Sequence, residues 1–167
     1  AIAPAALGKG VQLELLDGIE ATVPGNSGLL RILMRNLIDN AVRHTPSGTT
    51  VQIGIANVRG AICLSVNDNG PGIPEQERAK VFERFYRPTG TQASGSGLGL
   101  SIVKRIVEIH AATLNIASPG NGQGLRVEVA FNPNNPLGRH SGEGRNPAMK
   151  WGRQAFSHMA KARKNIP

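Results

Sequence analysis

Cysteine is nearly absent from this chain: Cys63 is the single thiol among 167 residues, so no internal disulfide can staple the fold. Its setting, Ala61-Ile62-Cys63-Leu64-Ser65-Val66, reads as a half-buried strand in which the thiol packs as a small apolar group. A reducing compartment is compatible with that usage. Long hydrophobic runs are also missing. No stretch approaches the roughly 20 apolar residues that cross a bilayer, and Ala1 to Gly10 has neither the basic region nor the apolar core of a signal peptide. The chain as given is therefore expected to be soluble. There is no internal repeat, and no second region apolar enough to build another core. One domain and a tail is the expected organisation.

What the chain has in excess is positive charge, a net +8, but it is unevenly placed. Residues 1–132 hold 12 Lys and Arg against 10 Asp and Glu, a balance of +2, whereas residues 133–167 hold 7 against 1, a balance of +6. The globular part is nearly neutral, so a basic nucleic-acid-binding face is not expected on it. From Asn132 the sequence is dense in Pro, Gly, Asn and Ser and has no period that could bury a face, which predicts disorder at least to Pro147. Met149 to Lys164 spaces Trp151, Phe156 and Met159 among basic residues and admits a short basic amphipathic helix. A domain over 1–132 with a loosely attached tail over 133–167 is expected.

Within that domain periodicity supplies the elements. Val11 to Leu15 alternates as a strand, and a long helix starts at Asn26 or Ser27 and runs to about His44, where Thr45-Pro46-Ser47-Gly48 stops it. Val51 to Ala56 and Ala61 to Asn67 read as adjacent strands joined by a turn over Asn57 to Gly60, the second being the more central. A short helical region from Pro74 to about Phe85, a polar loop from Arg87 to Ser96, a helix from Gly97 to His110 and strands at Thr113 to Ala117 and Gly124 to Phe131 complete the list. This order predicts an α+β fold: a two-layer α/β sandwich, with a mixed sheet of about five strands on about three helices.

Three places carry residues suited to chemistry. On the first long helix, at about 100° per residue, Asn36, Asn40, Arg43 and His44 share an arc of about 100° beside the apolar arc of Leu30, Met34, Leu37, Ile38 and Ala41. Such amides can offer oxygen to a hard metal ion and the guanidinium can offer charge to phosphate; a merely solvated face is the alternative. Asp68-Asn69-Gly70-Pro71-Gly72-Ile73 follows an apolar strand, where a carboxylate can accept from an exocyclic amine and glycines allow close backbone approach. An ordinary turn has the same letters. Gly95-Ser96-Gly97-Leu98-Gly99-Leu100 opens a helix, leaving backbone N–H groups bare for phosphate. It lacks the Lys-Ser/Thr of a P-loop and the βαβ setting of a dinucleotide fold.

Taken in order, these segments resemble the motifs of histidine kinases. Asn36-Leu-Ile-Asp-Asn40-Ala-Val-Arg43-His44-Thr-Pro is similar to the N box, Asp68-Asn-Gly70-Pro-Gly72-Ile73 to the G1 box, Phe82-Glu-Arg-Phe85-Tyr86-Arg87 to the F box, and Gly95-Ser96-Gly97-Leu98-Gly99-Leu100 to the G2 box. The resemblance covers about residues 11–131 and points to the catalytic ATP-binding domain of the GHKL superfamily, with the Bergerat-type fold. Within it the short loop after Phe-Tyr-Arg-Pro is most similar to QseC-type sensor kinases.

The resemblance implies that Asn40 coordinates the Mg²⁺ bridging the ATP phosphates, that Asn36 supports it, and that Arg43 stands where Lys is usual and His44 where Tyr is frequent. It implies that Asp68 reads the adenine amine while Gly70, Gly72 and Ile73 shape the loop beneath the base. Residues 87–96 would form the ATP lid, with Phe82, Phe85, Arg87 and Ser96 at its ends, and Gly97, Leu98, Gly99 and Leu100 would lend phosphate amides. For Phe82 and Phe85 plain core packing is the competing reading. Gly122-Gln123-Gly124-Leu125 carries Leu where many relatives have Thr or Ser, and no ligand contact is assigned there. No Ser/Thr-His-Glu-Leu-Arg-Thr-Pro segment occurs, so His44, His110, His140 and His158 are read as ordinary histidines rather than phosphoacceptors, with His44 expected to line the nucleotide site.

The implied function is the catalytic domain of a two-component sensor histidine kinase, transferring the γ-phosphate of ATP to a histidine on its own dimerisation and phosphoacceptor domain, which this chain does not contain. An amide at Asn36, where related ATPases have a Glu base, favours transfer over hydrolysis. The further implied partner is an OmpR-like response regulator. Nucleic acid is not an expected partner, and the whole protein is expected to be homodimeric and anchored in a bacterial inner membrane with this domain in the cytoplasm. The alternative is a non-catalytic nucleotide-binding regulatory module of the same superfamily.

Overall fold

A computed structural model of the chain describes residues 6, 8–23, 25–87, 96–119, 122–132, 134 and 149–152. Its elements are β1 (Gln12–Leu15), β2 (Ala21–Val23), α1 (Ser27–His44), β3 (Thr50–Val58), β4 (Ala61–Asp68), α2 (Gly99–Ile109), β5 (Thr113–Ala117), β6 (Leu125–Phe131) and β7 (Met149–Trp151). Five strands form one mixed sheet in the order β1-β3-β4-β6-β5. β1 runs parallel to β3, and the other neighbours are antiparallel. β4 is the central strand, as its continuous apolar run predicts.

Two periodicities build the core. Along β4 the residues Ile62, Leu64, Val66 and Asp68 are buried while Ala61, Cys63, Ser65 and Asn67 are half-exposed, so one face of the sheet meets the helices and the other is wetter. On β3 Val51, Ile53 and Ile55 point the same way, and on β6 Leu125, Val127, Val129 and Phe131 do. Against them α1 lays Leu30, Leu33, Met34, Leu37, Ile38, Ala41 and Val42, and α2 lays Val103, Ile106 and Val107. A fully buried aliphatic side chain contributes about 1.5–3 kcal/mol relative to exposure, so this face supplies most of the cohesion.

Local chemistry sets the ends of α1. Asn26 is its N-cap, its Oδ1 accepting from the Leu29 N–H at 3.1 Å. At the other end Thr45, which precedes Pro46, is extended and closes the helix with its N–H on Ala41 O at 2.9 Å. Arg43 in the last turn complements the carbonyl end. His110, just past α2, ties the two helices: its Nδ1 donates to Ile106 O at 2.8 Å and its Nε2 accepts from the Asn26 N–H at 3.2 Å. It is a buried structural histidine, as expected. His140 and His158 lie outside the described residues.

Three expectations need correction. The turn between β3 and β4 is tighter than Asn57 to Gly60: the strand continues to Val58, and Arg59 (φ 52°) and Gly60 (φ 86°) make a two-residue hairpin loop with both φ positive. Asn57 Oδ1 accepts from the Gly60 N–H and fixes it. The region from Pro74 to Phe85 is not one helix but two 3-10 turns, Glu75–Glu77 and Lys80–Phe82, because only Val81 is buried and no continuous apolar stripe exists to hold a longer helix.

The expectation that everything beyond 132 stands apart from the domain does not hold for Met149–Trp151, which is a strand and not part of a helix. It pairs antiparallel with β2, Ala21 facing Trp151 and Val23 facing Met149. Trp151 is 1% exposed and meets Phe131 edge-on at 5.2 Å between ring centres. One large apolar side chain outweighs the polar composition around it. The remainder of 133–167 apart from residues 134 and 152 lies outside the described residues.

Candidate functional site

The strand alternation that buries the core also delivers a carboxylate. Asp68 is the last inward position of β4, where the sheet face runs out of apolar neighbours, and it is 3% exposed. Its Oδ1 accepts from the Gly70 N–H at 2.8 Å. Burial raises its pKa above the ordinary carboxylate value, and backbone hydrogen bonds from Gly70 and Leu125 act against that rise. A buried carboxylate held by backbone donors at a strand end could accept one more hydrogen bond, from an amine brought by a ligand.

The backbone around Asp68 is too close for side chains. A β-carbon on Gly70 would stand 2.5 Å from His44 O and 2.9 Å from Asp68 Oδ1, so the end of α1 and the loop after β4 are in contact. Gly72 (φ 73°) faces Gly124 O at 2.8 Å, measured likewise from an added β-carbon, and a β-carbon on Gly124 (φ 90°) would collide with Asp68 O. Gly124, to which the sequence assigned no ligand contact, is thus needed for the carboxylate to sit where it does. The Gly122-Gln123-Gly124 turn before β6 was the available signal. Ile73 is half-buried against the core and its carbonyl accepts from Arg78 Nε at 3.1 Å.

Asn36 and Asn40 lie one turn apart on α1, both partly exposed. Asn36 Nδ2 donates to Ile32 O at 2.8 Å, which turns its Oδ1 toward the start of α2, 3.5 Å from where a β-carbon on Gly99 would be. The G2 segment therefore opens its helix beside the N-box amide. Ser96, Gly97, Leu98, Gly99 and Leu100 are all at least partly accessible there, and Gly99 is the first residue of α2. The helix N-terminus supplies N–H donors and the positive end of its dipole.

The cationic residues gather at the other end of α1. His44 is partly buried, and its imidazole is held below its ordinary pKa, first by burial and then by the charges of Lys9, Arg43 and Arg87. Arg43 and Arg87 are exposed. Lys9, Arg43 and Arg87 thus place positive charge around His44, whose carbonyl packs against Gly70 beside Asp68, a field suited to polyphosphate. Sequence reasoning missed Lys9, whose position in a Gly-Lys-Gly segment gives no hint of where its amine reaches.

Phe85 is not a core residue. It is 70% exposed, has φ 64°, and its N–H donates to Gly97 O at 3.0 Å. Gly97 (φ 68°) must be glycine, because a β-carbon there would lie 2.8 Å from Cα and C of Phe85. The two ends of the 87–96 loop are thus pinned together, with Phe82 half-buried before them. Residues 88–95, including Gly95, lie outside the described residues.

Nucleotide fits these groups as donors and acceptors. A magnesium ion would find no protein cage: among the described residues no three His, Cys, Asp or Glu side chains are gathered. Mg²⁺ bound through an amide oxygen, water and phosphates needs none, and Asn40, partly exposed on α1, carries such an oxygen.

A mixed sheet under two helices, with a buried carboxylate, paired amides and a glycine-opened helix converging at one end, defines a class of nucleotide-binding domain. The chain belongs to the family described as histidine kinase-, DNA gyrase B-, and HSP90-like ATPases, whose model matches residues 25–135. It is 45% identical over 101 residues to the sensor protein kinase PmrB of Pseudomonas aeruginosa, covering 60% of this chain and 21% of that protein. To the sensor protein QseC of Escherichia coli O157:H7 it is 42% identical over 116 residues, covering 70% of this chain and 24% of that protein. The chain therefore spans about a quarter or less of these curated relatives. Among solved structures it is similar to the mycobacterial sensor histidine kinase MprB, with TM-score 0.69, 31% identity, and 77% of this chain and 88% of that one covered. The ATP-binding domain of PrrB from Mycobacterium tuberculosis gives TM-score 0.61 at 26% identity, with 80% and 92% covered.

Proposed function

We propose that this chain is the ATP-binding catalytic domain of a two-component sensor histidine kinase, transferring the γ-phosphate of Mg·ATP to a histidine on a separate dimerisation and phosphoacceptor domain. The observation that carries the reading is that α1 meets both glycine segments, Asn36 Oδ1 standing against Gly99 and His44 O against Gly70, the latter beside buried Asp68. In this reading Asp68 accepts from the adenine amine, and Gly70, Gly72 and Ile73 shape the floor. Asn40 would hold Mg²⁺ through its amide oxygen, with Asn36 in support. Arg43, Arg87 and the backbone of Ser96 to Leu100 neutralise and orient the phosphates, and His44 borders the nucleoside.

Mg²⁺ would supply charge neutralisation across the phosphates; the chain's own residues bind and align. The Asn36 amide takes no proton at neutral pH, so no general base stands where related ATPases have a Glu, and positioning for in-line attack by an external histidine is the chemistry the site supports. The parent protein, in this reading, is a homodimer anchored in the bacterial inner membrane with this domain in the cytoplasm, and an OmpR-like response regulator takes the phosphoryl group. The test mixes the chain with the phosphoacceptor domain of its own kinase and labelled Mg·ATP. Acid-labile label on that domain is expected, and Asn40→Ala should abolish it while leaving the fold intact. Nucleotide binding with no transfer under any condition would instead assign a regulatory module.

A further inference from the structure

We propose that Lys9 is a positioning residue for nucleotide binding: from the segment that leads into β1 it holds the carbonyl end of α1, and with it Arg43 and His44, in place beside the pocket. The inference rests on the functional reading above.

An α-helix ends in carbonyls with no donor of their own. In α1 Ala41 O is met by the Thr45 N–H, and the next two carbonyls are met from outside the helix: Lys9 Nζ donates to Val42 O at 3.0 Å and also to Arg43 O. An ammonium at this point satisfies two acceptors together and opposes the negative end of the helix dipole. The contact is not an isolated reach by a flexible side chain. Gly10 O accepts from the Gly48 N–H at 3.2 Å, and the Gln12 N–H donates to Thr49 O at 2.9 Å. From there β1 pairs with β3 in register, Gln12 beside Thr50. Residues 9–12 are thus fastened to both sides of the α1–β3 connection.

That connection matters because of what lies on it. Arg43 and His44 are the last two residues of α1, and His44 O is the atom against which Gly70 packs in the loop after Asp68. A shift of the last turn would therefore move the cationic end of the helix and the floor beneath Asp68 together. Lys9 is also the charge that acts most strongly on His44, ahead of Arg43 and Arg87. It contributes to the potential that would attract phosphate without being assigned contact with it.

The test uses the whole chain with Lys9→Met, which keeps the aliphatic stem and removes the ammonium, and Lys9→Arg, which restores charge and donors. Calorimetric titration with Mg²⁺ and a non-hydrolysable ATP analogue is paired with hydrogen exchange at the Thr45 amide. Lys9→Met should bind about fivefold more weakly than wild type and exchange faster at Thr45, and Lys9→Arg should recover both. If wild type binds and Lys9→Met binds equally well, or if Lys9→Arg fails to restore affinity, the positioning role is wrong. Should Lys9→Met not fold, Lys9→Gln is measured against the same two outcomes. Wild type that binds no nucleotide at all overturns the functional reading, while Thr45 exchange still reports whether Lys9 holds the helix end.

Discussion

Asn36 and Gly99 meet where the two long helices come together: Oδ1 of the first lies 3.5 Å from the place a β-carbon on the second would occupy. That distance is ordinary contact, so Gly99→Ala should fold, its stability within about 1 kcal/mol of wild type. The added methyl nonetheless covers the opening of α2 next to the amide. Nucleotide affinity measured by calorimetry should fall while the thermal midpoint hardly moves.

Gly97 differs in kind. Its φ of 68° and the backbone of Phe85 at 2.8 Å leave no room for a side chain. Gly97→Ala should cost about 1–3 kcal/mol in urea denaturation and should also weaken nucleotide binding, since the loop ends separate.

The buried carboxylate gives a prediction with a sign. Burial sets the folded pKa of Asp68 above its ordinary value of 3.8. The folded state therefore holds the proton more tightly. This contribution favours folding below the unfolded pKa and is lost as pH rises through the folded value. Asp68→Asn removes it. From about pH 4 to about pH 7 the denaturation midpoints should shift in the variant's favour relative to wild type, and the same variant should bind adenine nucleotide poorly or not at all.

Trp151 tests the C-terminal strand. Truncating a fully buried ring typically costs about 3–5 kcal/mol, so Trp151→Ala should lower the urea midpoint sharply. Trp151→Phe should cost less, because it keeps the ring contact with Phe131 and drops an indole N–H that has no acceptor among the described residues.

Much of this was legible beforehand, for identifiable reasons. α1 and α2 showed because a 3.6-residue stripe is long and the cap Asn26 and the stop at Thr45-Pro46 are chemically distinct signals. β4 showed because of its apolar run over Ala61 to Asn67, whereas Asp68, read as following the strand, is its last inward residue. What stayed hidden depends on pairing partners far apart in sequence. β2 is three residues long and carries no period of its own, and β7 sits in polar surroundings; each is a strand only because the other is present. Lys9 was hidden because a lysine's reach is set by tertiary structure. The N-box, G1 and G2 residues were legible as a motif series. Their convergence was visible only in three dimensions, through Gly70 on His44 and Asn36 on Gly99.

The partnership of Ala21–Val23 with Met149–Trp151 also bears on how the molecule is made. On a ribosome Ala21–Val23 emerges well before its complement, so its unmatched amides and the cavity meant for the indole must wait until Met149–Trp151 has been translated. Assembly of that corner is therefore a late event, and stalled or shortened nascent chains would expose it to chaperones and proteases.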